Sequence, residues 1–238
     1  MNIEINTDFT VISPYSIMIV LSFISGILVQ YYLNVNRGIS KKTSCKLILF
    51  SPVMSVICGI LLTYYSSGRQ YFGLSSIGGL IGMYISVLLL ALIEHRHGEL
   101  SIMMQNCTFA LPLMYSVSKI GCLLSGCCHG IEYDGFFSID YISSKSDTIT
   151  VFPVQLWETV SFFAIFVIGM ILYKRHSRYS VWVTFMLSAS AKFVLDFFRK
   201  SHQYEIISLN QVLCIILVVV GITVIMCNPV SHLLSKQD

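Results

Sequence analysis

Charged side chains are scarce in this chain. Asp, Glu, Lys and Arg make up 11% of its 238 residues, whereas 55% of the residues are hydrophobic. A soluble domain of this size carries about 25% charged residues, so the composition excludes an ordinary soluble domain and indicates an integral membrane protein. The net charge is only +3. Because the basic residues lie in short clusters between apolar runs, nucleic-acid binding is excluded as well.

The first thirteen residues lack the basic region with which a secretory signal begins. They contain Glu4 and Asp8 and neither lysine nor arginine. No cleavable signal peptide is therefore expected, and the first apolar run is predicted to be a membrane-spanning helix.

Seven apolar runs have the length of about 20 residues that a spanning helix requires. They cover residues 14–34, 45–65, 77–93, 102–124, 154–173, 180–198 and 207–227. We predict an all-α integral membrane protein that forms one domain over residues 1–238. It has seven transmembrane helices and one longer extracytoplasmic loop, at residues 131–152.

The distribution of positive charge predicts the orientation, since cytoplasmic loops are enriched in lysine and arginine. One side carries Arg37, Lys41, Lys42, Lys46, Arg96, Lys174, Arg175, Arg178 and Lys236. The other side carries Arg69, Lys145, Arg199 and Lys200. The N-terminus is therefore predicted to lie outside the cell membrane and the C-terminus in the cytoplasm.

Ionisable residues within the apolar runs are candidate functional groups, because each costs about 2.5–3.5 kcal/mol to insert. They are Lys119, Glu158, Lys192 and Asp196. Lys192 and Asp196 are four residues apart, so they share a helix face and are expected to pair. Arg199 extends this face. A snorkelling pair at a helix end is the alternative.

The predicted topology brings Lys119, Lys192, Arg199 and Arg69 toward the outer leaflet. Cations at that depth suit the phosphate of an anionic lipid headgroup. Separate interfacial anchors would give the same pattern.

Residues 119–130, KIGCLLSGCCHG, concentrate reactive groups. Cys122, Cys127, Cys128 and His129 could bind a metal, form a disulfide, or act as nucleophile and base. Their spacing matches no zinc template, so neither a metal ion nor a cofactor is predicted. Small residues that permit close packing are the alternative.

Two helix beginnings are also distinctive. Gly78 and Gly79 would allow a lipid or a second helix to approach the third helix closely. At the start of the fifth helix, Gln155 and Glu158 lie three residues apart on one face, just after Pro153.

Together these features resemble the prolipoprotein diacylglyceryl transferase family over nearly the whole chain. The similar features are Tyr15 at the start of helix one, Gly78 and Gly79, the segment 119–130, the segment 153–158, the Lys192, Asp196 and Arg199 stripe, and Asn210 with Gln211. Their order along seven helices carries the resemblance.

The resemblance implies a bacterial enzyme that moves diacylglycerol from phosphatidylglycerol to the lipobox cysteine of a secreted precursor. It implies phosphate contacts for Lys119, Lys192 and Arg199, with Glu158 and Asp196 orienting these cations. Tyr15, Arg69, Gly78, Gly79, Cys122 and Gln155 are then expected to bind substrate.

The chain departs from the family pattern at several of these positions. Ile77 occupies the place of a histidine before the glycine pair, which makes His129 the candidate base. Lys119 and Lys192 replace arginines, Cys122 an asparagine, Gly126-Cys127 a Gly-Glu pair, and Asp196 a glutamate. Lysine keeps the charge but loses the planar fork that grips phosphate.

Three alternative functions follow from these departures. The chain could be a paralogue that acts on another acceptor, or a thiol–disulfide protein that uses Cys122, Cys127 and Cys128. It could also be a lipid-binding protein that has lost catalysis, a reading that Ile77 supports.

Overall fold

The computed structural model describes residues 3–6, 13–70, 72–142, 148–177, 179–200 and 207–227. Within these ranges the chain forms seven α-helices: α1 Pro14–Asn36, α2 Lys41–Ser66, α3 Ser76–Ile93, α4 Leu100–Leu124, α5 Val154–Lys174, α6 Ser180–Asp196 and α7 Leu209–Cys227. Each predicted apolar run therefore forms a helix. Lys145, Arg178 and Lys236, which contribute to the predicted charge asymmetry, lie outside the described residues.

The helices have the length and surface of membrane-spanning segments. Among the described residues, α1, α2, α3, α5 and the segment His97–Leu124 are long and apolar enough to cross a bilayer. Large apolar side chains such as Val20, Leu49 and Phe163 are exposed on them, as expected for surfaces that contact lipid. The chain is thus a mostly helical membrane protein. That α6 and α7 also span the membrane stays a prediction.

A small β-sheet accompanies the helices, and the sequence analysis did not predict it. Strand β1, Ile3–Asn6, pairs in parallel with β2, Ile139–Ile142, and β2 pairs in antiparallel with β3, Thr148–Val151. Two of the strands lie within the segment 131–152, which was interpreted only as a long loop. Ile139, Tyr141 and Val151 from this sheet form a small buried cluster, so part of the segment has a core of its own.

The chain divides into two compact units. One consists of Phe23–Met114, and the other of Met1–Ser22 with Tyr115–Asp238. The single-domain organisation stays a prediction.

Small residues determine how α2 and α3 pack within the unit Phe23–Met114. A Cβ atom on Gly82 would lie 2.3 Å from the Met54 carbonyl oxygen, and one on Gly78 would lie 2.5 Å from that of Cys58. Such distances leave no space for a side chain, so the two backbones are in direct contact. The Ser55 hydroxyl adds a hydrogen bond to the Gly79 carbonyl, at 2.9 Å.

The glycine pair predicted to bind substrate therefore has a packing role, one of the two interpretations left open by the sequence. Gly78 also lies in the first turn of α3, where its N–H donates to the side chain of the N-cap residue Ser75 at 3.3 Å. Substrate binding by Gly78 and Gly79 stays a prediction.

The contact between α2 and α3 can be tested at Gly82. Replacing Gly82 with alanine should force the helices apart and lower the free energy of unfolding by about 1–3 kcal/mol, as in overpacked cores. Thermal unfolding in detergent micelles would measure the change. Gly98→Ala is the matched control, because a Cβ on Gly98 meets no atom within 4 Å. Equal effects of the two substitutions would contradict the close packing.

Candidate functional site

A buried carboxylate, Glu158, lies at the centre of the candidate site. It is placed on the first turns of α5 and has no exposed surface. A buried carboxylate is costly unless cations and hydrogen-bond donors compensate it. Its surroundings provide both.

Three cations contact Glu158. Lys119 of α4 places its Nζ 3.1 Å from Oε2, and Lys192 of α6 places its Nζ 3.0 Å from Oε1. The Nη2 atom of Arg199 donates to both carboxylate oxygens, at 2.7 and 3.0 Å. Three charged groups that are distant in sequence therefore converge on one acid.

Asp196 extends the cluster on the side of α6. Its Oδ1 lies 3.6 Å from Lys192 Nζ and 3.6 Å from Arg199 Nε. The predicted contact between Lys192 and Asp196 is thus confirmed. Both Asp196 Oδ1 and Arg199 Nε are buried and form no hydrogen bond within the described structure, so this part of the cluster holds polar atoms with unused hydrogen-bonding capacity.

The five charged groups carry a net charge of +1, from three cations and two carboxylates. We refer to Lys119, Glu158, Lys192, Asp196 and Arg199 as the ion cluster. All five are buried or nearly so, and charges in such a setting are screened less than at a surface. The cluster is therefore suited to accept one further negative charge.

Tyr115 belongs to the cluster and was missed by the sequence analysis. Its hydroxyl donates to Glu158 Oε1 at 2.8 Å, and the ammonium groups of Lys119 and Lys192 lie 5.0 and 5.5 Å from its ring centroid. These distances are within the range of cation–π attraction. Its position one helical turn before Lys119 was the available signal, because residues four apart share a face.

Hydrogen bonds from serine hydroxyl groups hold the helices that carry the cluster. The Ser116 hydroxyl donates to the Thr159 carbonyl at 2.9 Å, which joins α4 to α5 beside Lys119 and Glu158. At the end of α6, the Ser208 hydroxyl donates to the Asp196 carboxylate.

The position of Ser208 is fixed by a capping box at the start of α7. Ser208 Oγ accepts from the Gln211 N–H at 3.2 Å, and Gln211 Oε1 accepts from the Ser208 N–H at 3.0 Å. Gln211 thus acts through Ser208 to support Asp196.

His129, the predicted base, lies next to Arg199 along a short backbone ladder. Lys200 N–H donates to the His129 carbonyl at 3.3 Å, and Ile131 N–H donates to the Phe198 carbonyl at 3.0 Å. Gly130 pairs with Arg199 between these bonds. A Cβ on Gly130 would lie 2.4 Å from the Phe152 carbonyl oxygen, so only glycine permits this approach.

The imidazole of His129 has a defined orientation. Its Nδ1 lies 3.0 Å from the Gly130 carbonyl oxygen. A carbonyl can only accept, so Nδ1 carries the proton in the neutral ring and Nε2 keeps a lone pair. That tautomer can accept a proton at Nε2.

The three clustered cysteines come together in the turn after α4. The sulfurs of Cys122, Cys127 and Cys128 all lie within 4.8 Å of one another, and the cysteines are unpaired by disulfides. Hydrogen bonds from the other two thiols, followed by the charges of Lys119 and Arg199, hold the pKa of the Cys128 thiol below its usual range. Cys128 is therefore the thiol of the three that is most readily ionised.

Gln155 and Tyr15 support this turn. Gln155, which is fully buried, donates from Nε2 to the Cys127 carbonyl at 2.9 Å. Gly121 packs against Tyr15: a Cβ on it would lie 3.2 Å from the Tyr15 Cα. Both residues thus contact the segment 119–130, although substrate binding by them, and by Cys122, stays a prediction.

Arg69 belongs to the other compact unit. It lies in the turn after α2 with a φ of 67°, is exposed, and places its guanidinium 5.8 Å from the centroid of the Tyr65 ring. Its predicted contact with the lipid phosphate stays a prediction.

Comparison with known proteins identifies two relatives that carry the same name. The chain is 27% identical over 166 residues to the phosphatidylglycerol–prolipoprotein diacylglyceryl transferase of Tolumonas auensis, a match that covers 66% of this chain and 62% of the relative. It is 26% identical over 201 residues to the protein of the same name from Dehalococcoides mccartyi, which covers 72% of this chain and 74% of that relative. The first match therefore spans less than two thirds of its relative's length.

A family model described as prolipoprotein diacylglyceryl transferase matches residues 3–227. This range includes every member of the ion cluster, His129 and the three clustered cysteines. The chain belongs to the prolipoprotein diacylglyceryl transferase family.

Proposed function

We propose that this protein transfers the diacylglyceryl group of phosphatidylglycerol to a cysteine thiol of a prolipoprotein. The observation that carries the proposal is the ion cluster, in which three cations converge on Glu158 and, with Asp196, leave a net charge of +1. The names of the two relatives support the choice of donor and acceptor. A lipobox around the acceptor cysteine follows from the resemblance of the sequence motifs.

The reaction requires that a negative charge be stabilised where the phosphate departs. The acceptor sulfur, as thiolate, attacks the terminal glycerol carbon of the diacylglyceryl group. A C–S bond forms, the C–O bond to phosphate breaks, and glycerol phosphate leaves with the electron pair. Lys119, Lys192 and Arg199 are proposed to stabilise the departing phosphate, whose charge grows as that bond breaks.

The cluster retains hydrogen-bonding capacity for this task. Lys119 makes one charged contact with Glu158, and its ammonium has three donors. Among the described residues, the Nε–H of Arg199 has no hydrogen-bond acceptor. These donors are proposed to reach the phosphate oxygens, while Glu158 and Asp196 keep the cations in position.

His129 is proposed to accept the thiol proton at Nε2. Its Nδ1–H is oriented by the Gly130 carbonyl, as in other sites where one ring nitrogen fixes the tautomer for the other. The ladder that pairs Gly130 with Arg199 supports a role close to the phosphate-binding cations. His129 would thus take over the function of the family histidine that Ile77 replaces.

The proposed topology has seven spans, with the N-terminus and residues 131–152 outside and the C-terminus in the cytoplasm. The asymmetry of lysine and arginine supports it. Phosphatidylglycerol would then be drawn from the outer leaflet of the bacterial cell membrane, where secreted precursors emerge.

Reconstitution tests the activity. Purified full-length protein, supplied with labelled phosphatidylglycerol and a lipobox peptide, should produce a diacylglyceryl thioether and glycerol phosphate in equal amounts. His129→Asn should lower kcat by about 10²–10⁴-fold, the usual contribution of a general base. Mass analysis of both products gives the rate.

Wild-type protein that binds the lipid without forming either product would favour a lipid-binding relative without catalysis. A His129→Asn variant with an unchanged kcat would remove His129 as the base while leaving the transferase activity in place.

The compensating role of Glu158 can be tested by charge balance. Glu158→Gln leaves three buried cations against one carboxylate, and breaking such a buried pair costs about 3–5 kcal/mol. Adding Lys119→Gln should restore part of the stability, because it removes one uncompensated cation, but it should not restore activity. Unfolding in detergent and the product assay measure the two effects.

Glu132→Gln is the control for this experiment, because it makes the same chemical change at an exposed residue and should alter neither property. Equal stability of the Glu158→Gln and double variants would show that the cation and the acid do not compensate each other.

The orientation can be tested with the native thiols Cys45 and Cys128, which are both exposed. In intact cells, a membrane-impermeant maleimide should label a variant that keeps only Cys128, and it should label one that keeps only Cys45 after the membrane is opened. Mass shift on a gel reports the labelling. The reverse pattern would invert the proposed topology.

A further inference from the structure

The three clustered thiols form a compact set of soft ligands, and the proposed transfer reaction assigns none of them a bond-forming or proton-transfer step. A metal site needs three or more His, Cys, Asp or Glu side chains whose ligand atoms lie close together. Within the described part of the chain, Cys122, Cys127 and Cys128 form such a group. With metal–sulfur bonds of about 2.3 Å, three sulfurs around one ion lie about 4 Å apart. Their separations of at most 4.8 Å require only a small inward movement.

The backbone brings these sulfurs together without a disulfide. Cys122 lies on the last helical turns of α4, and the chain then reverses through Gly126 and Cys128, whose φ values are 66° and 56°. A non-glycine residue with such a φ is uncommon. The reversal places residues five and six positions after Cys122 beside its sulfur.

Anchors on both sides preserve this arrangement. Gln155 Nε2 donates a hydrogen bond to the Cys127 carbonyl at 2.9 Å. Two residues after Cys127, His129 begins the backbone ladder to residues 198–200. The burial of the thiols is graded: Cys122 is buried, Cys127 is half-buried and Cys128 is exposed. An ion could therefore reach the sulfurs from the exposed side and be held at the buried one.

We propose that Cys122, Cys127 and Cys128 bind one Cu(I) ion in a three-coordinate thiolate site. Soft thiolates select Cu(I), zinc or iron–sulfur clusters. Structural zinc sites have four ligands, and within the described residues the converging set has three. Binding forms three Cu–S bonds and releases the three thiol protons to solvent, with no change in oxidation state.

The charge of the occupied site connects it to the ion cluster. One Cu(I) and three thiolates carry −2, and the charges of Lys119 and Arg199 act on the Cys128 sulfur. Together with the +1 of the ion cluster, the sum becomes −1. Since like charge repels a phospholipid phosphate, bound Cu(I) should weaken binding of the donor lipid, a consequence that rests on the proposed function.

Metal binding is tested directly on purified full-length protein in detergent, without lipid substrate. Anaerobic titration with Cu(I) against a chromophoric chelator should give one ion per chain, and X-ray absorption should show three sulfur neighbours at about 2.3 Å. Cys128→Ser should weaken the apparent affinity by at least about tenfold, because one of three soft ligands is lost. The triple serine variant should bind none at this site.

Cys45→Ser and Cys58→Ser are matched controls on α2 and should bind as the wild type does. Since the triple variant can fail to fold, the single change at the exposed Cys128 keeps the test decisive. Unchanged binding in Cys128→Ser, or a site that takes Zn²⁺ with a fourth ligand in preference to Cu(I), would overturn the proposal. The metal-binding measurement does not depend on whether the protein shows transferase activity.

The effect on lipid binding needs a second measurement. Cu(I) loading should raise the apparent KM for phosphatidylglycerol several-fold in the wild type, and Cys128→Ser should be insensitive at the same Cu(I) concentration. An unchanged KM in the fully loaded wild type would overturn the electrostatic connection.

Discussion

The pairing of one buried carboxylate with three cations is the interaction on which the rest of the site depends. Glu158 accepts from Arg199 and Tyr115 and contacts both lysines. Without it, three positive charges would face one another in a setting of low dielectric, where repulsion is strong. The orientation of the three cations depends on this acid, and the net charge of +1 results from Glu158 together with Asp196.

Sequence reasoning found the charged members of the site because the membrane makes them conspicuous. An ionisable side chain in an apolar run is costly, so Lys119, Glu158 and Lys192 stood out, and the spacing of Lys192, Asp196 and Arg199 indicated one face. Tyr115 was missed because a tyrosine carries no formal charge at neutral pH and is not conspicuous within an apolar run. Ser208 was missed because its partner, Asp196, lies twelve residues away in the sequence, beyond the reach of helical spacing.

The positions of the helices were also predictable from the apolar character of the chain. The β-sheet and the packing role of Gly78 were not. Apolar length determines where helices can span, and the helices begin and end within a few residues of the predicted runs. The strands of four residues are too short for alternation to give a signal, and β1 pairs with a segment more than 130 residues away. The role of Gly78 required knowledge of its neighbour on α2, which sequence spacing alone does not supply.

The order of the charges along the chain has a consequence for biosynthesis. In the proposed topology α4 and α5 are made first, and they bring Lys119 and Glu158, which form a neutral pair at 3.1 Å. Helix α6 then brings Lys192 and Asp196, a second pair within one helix, and Arg199 follows at its end. Each hairpin is therefore almost balanced in charge once it is complete, and the lone Lys119 of α4 waits only for the next helix, α5. The translocation machinery would thus insert nearly neutral hairpins, although the folded protein contains a cluster of five charged side chains.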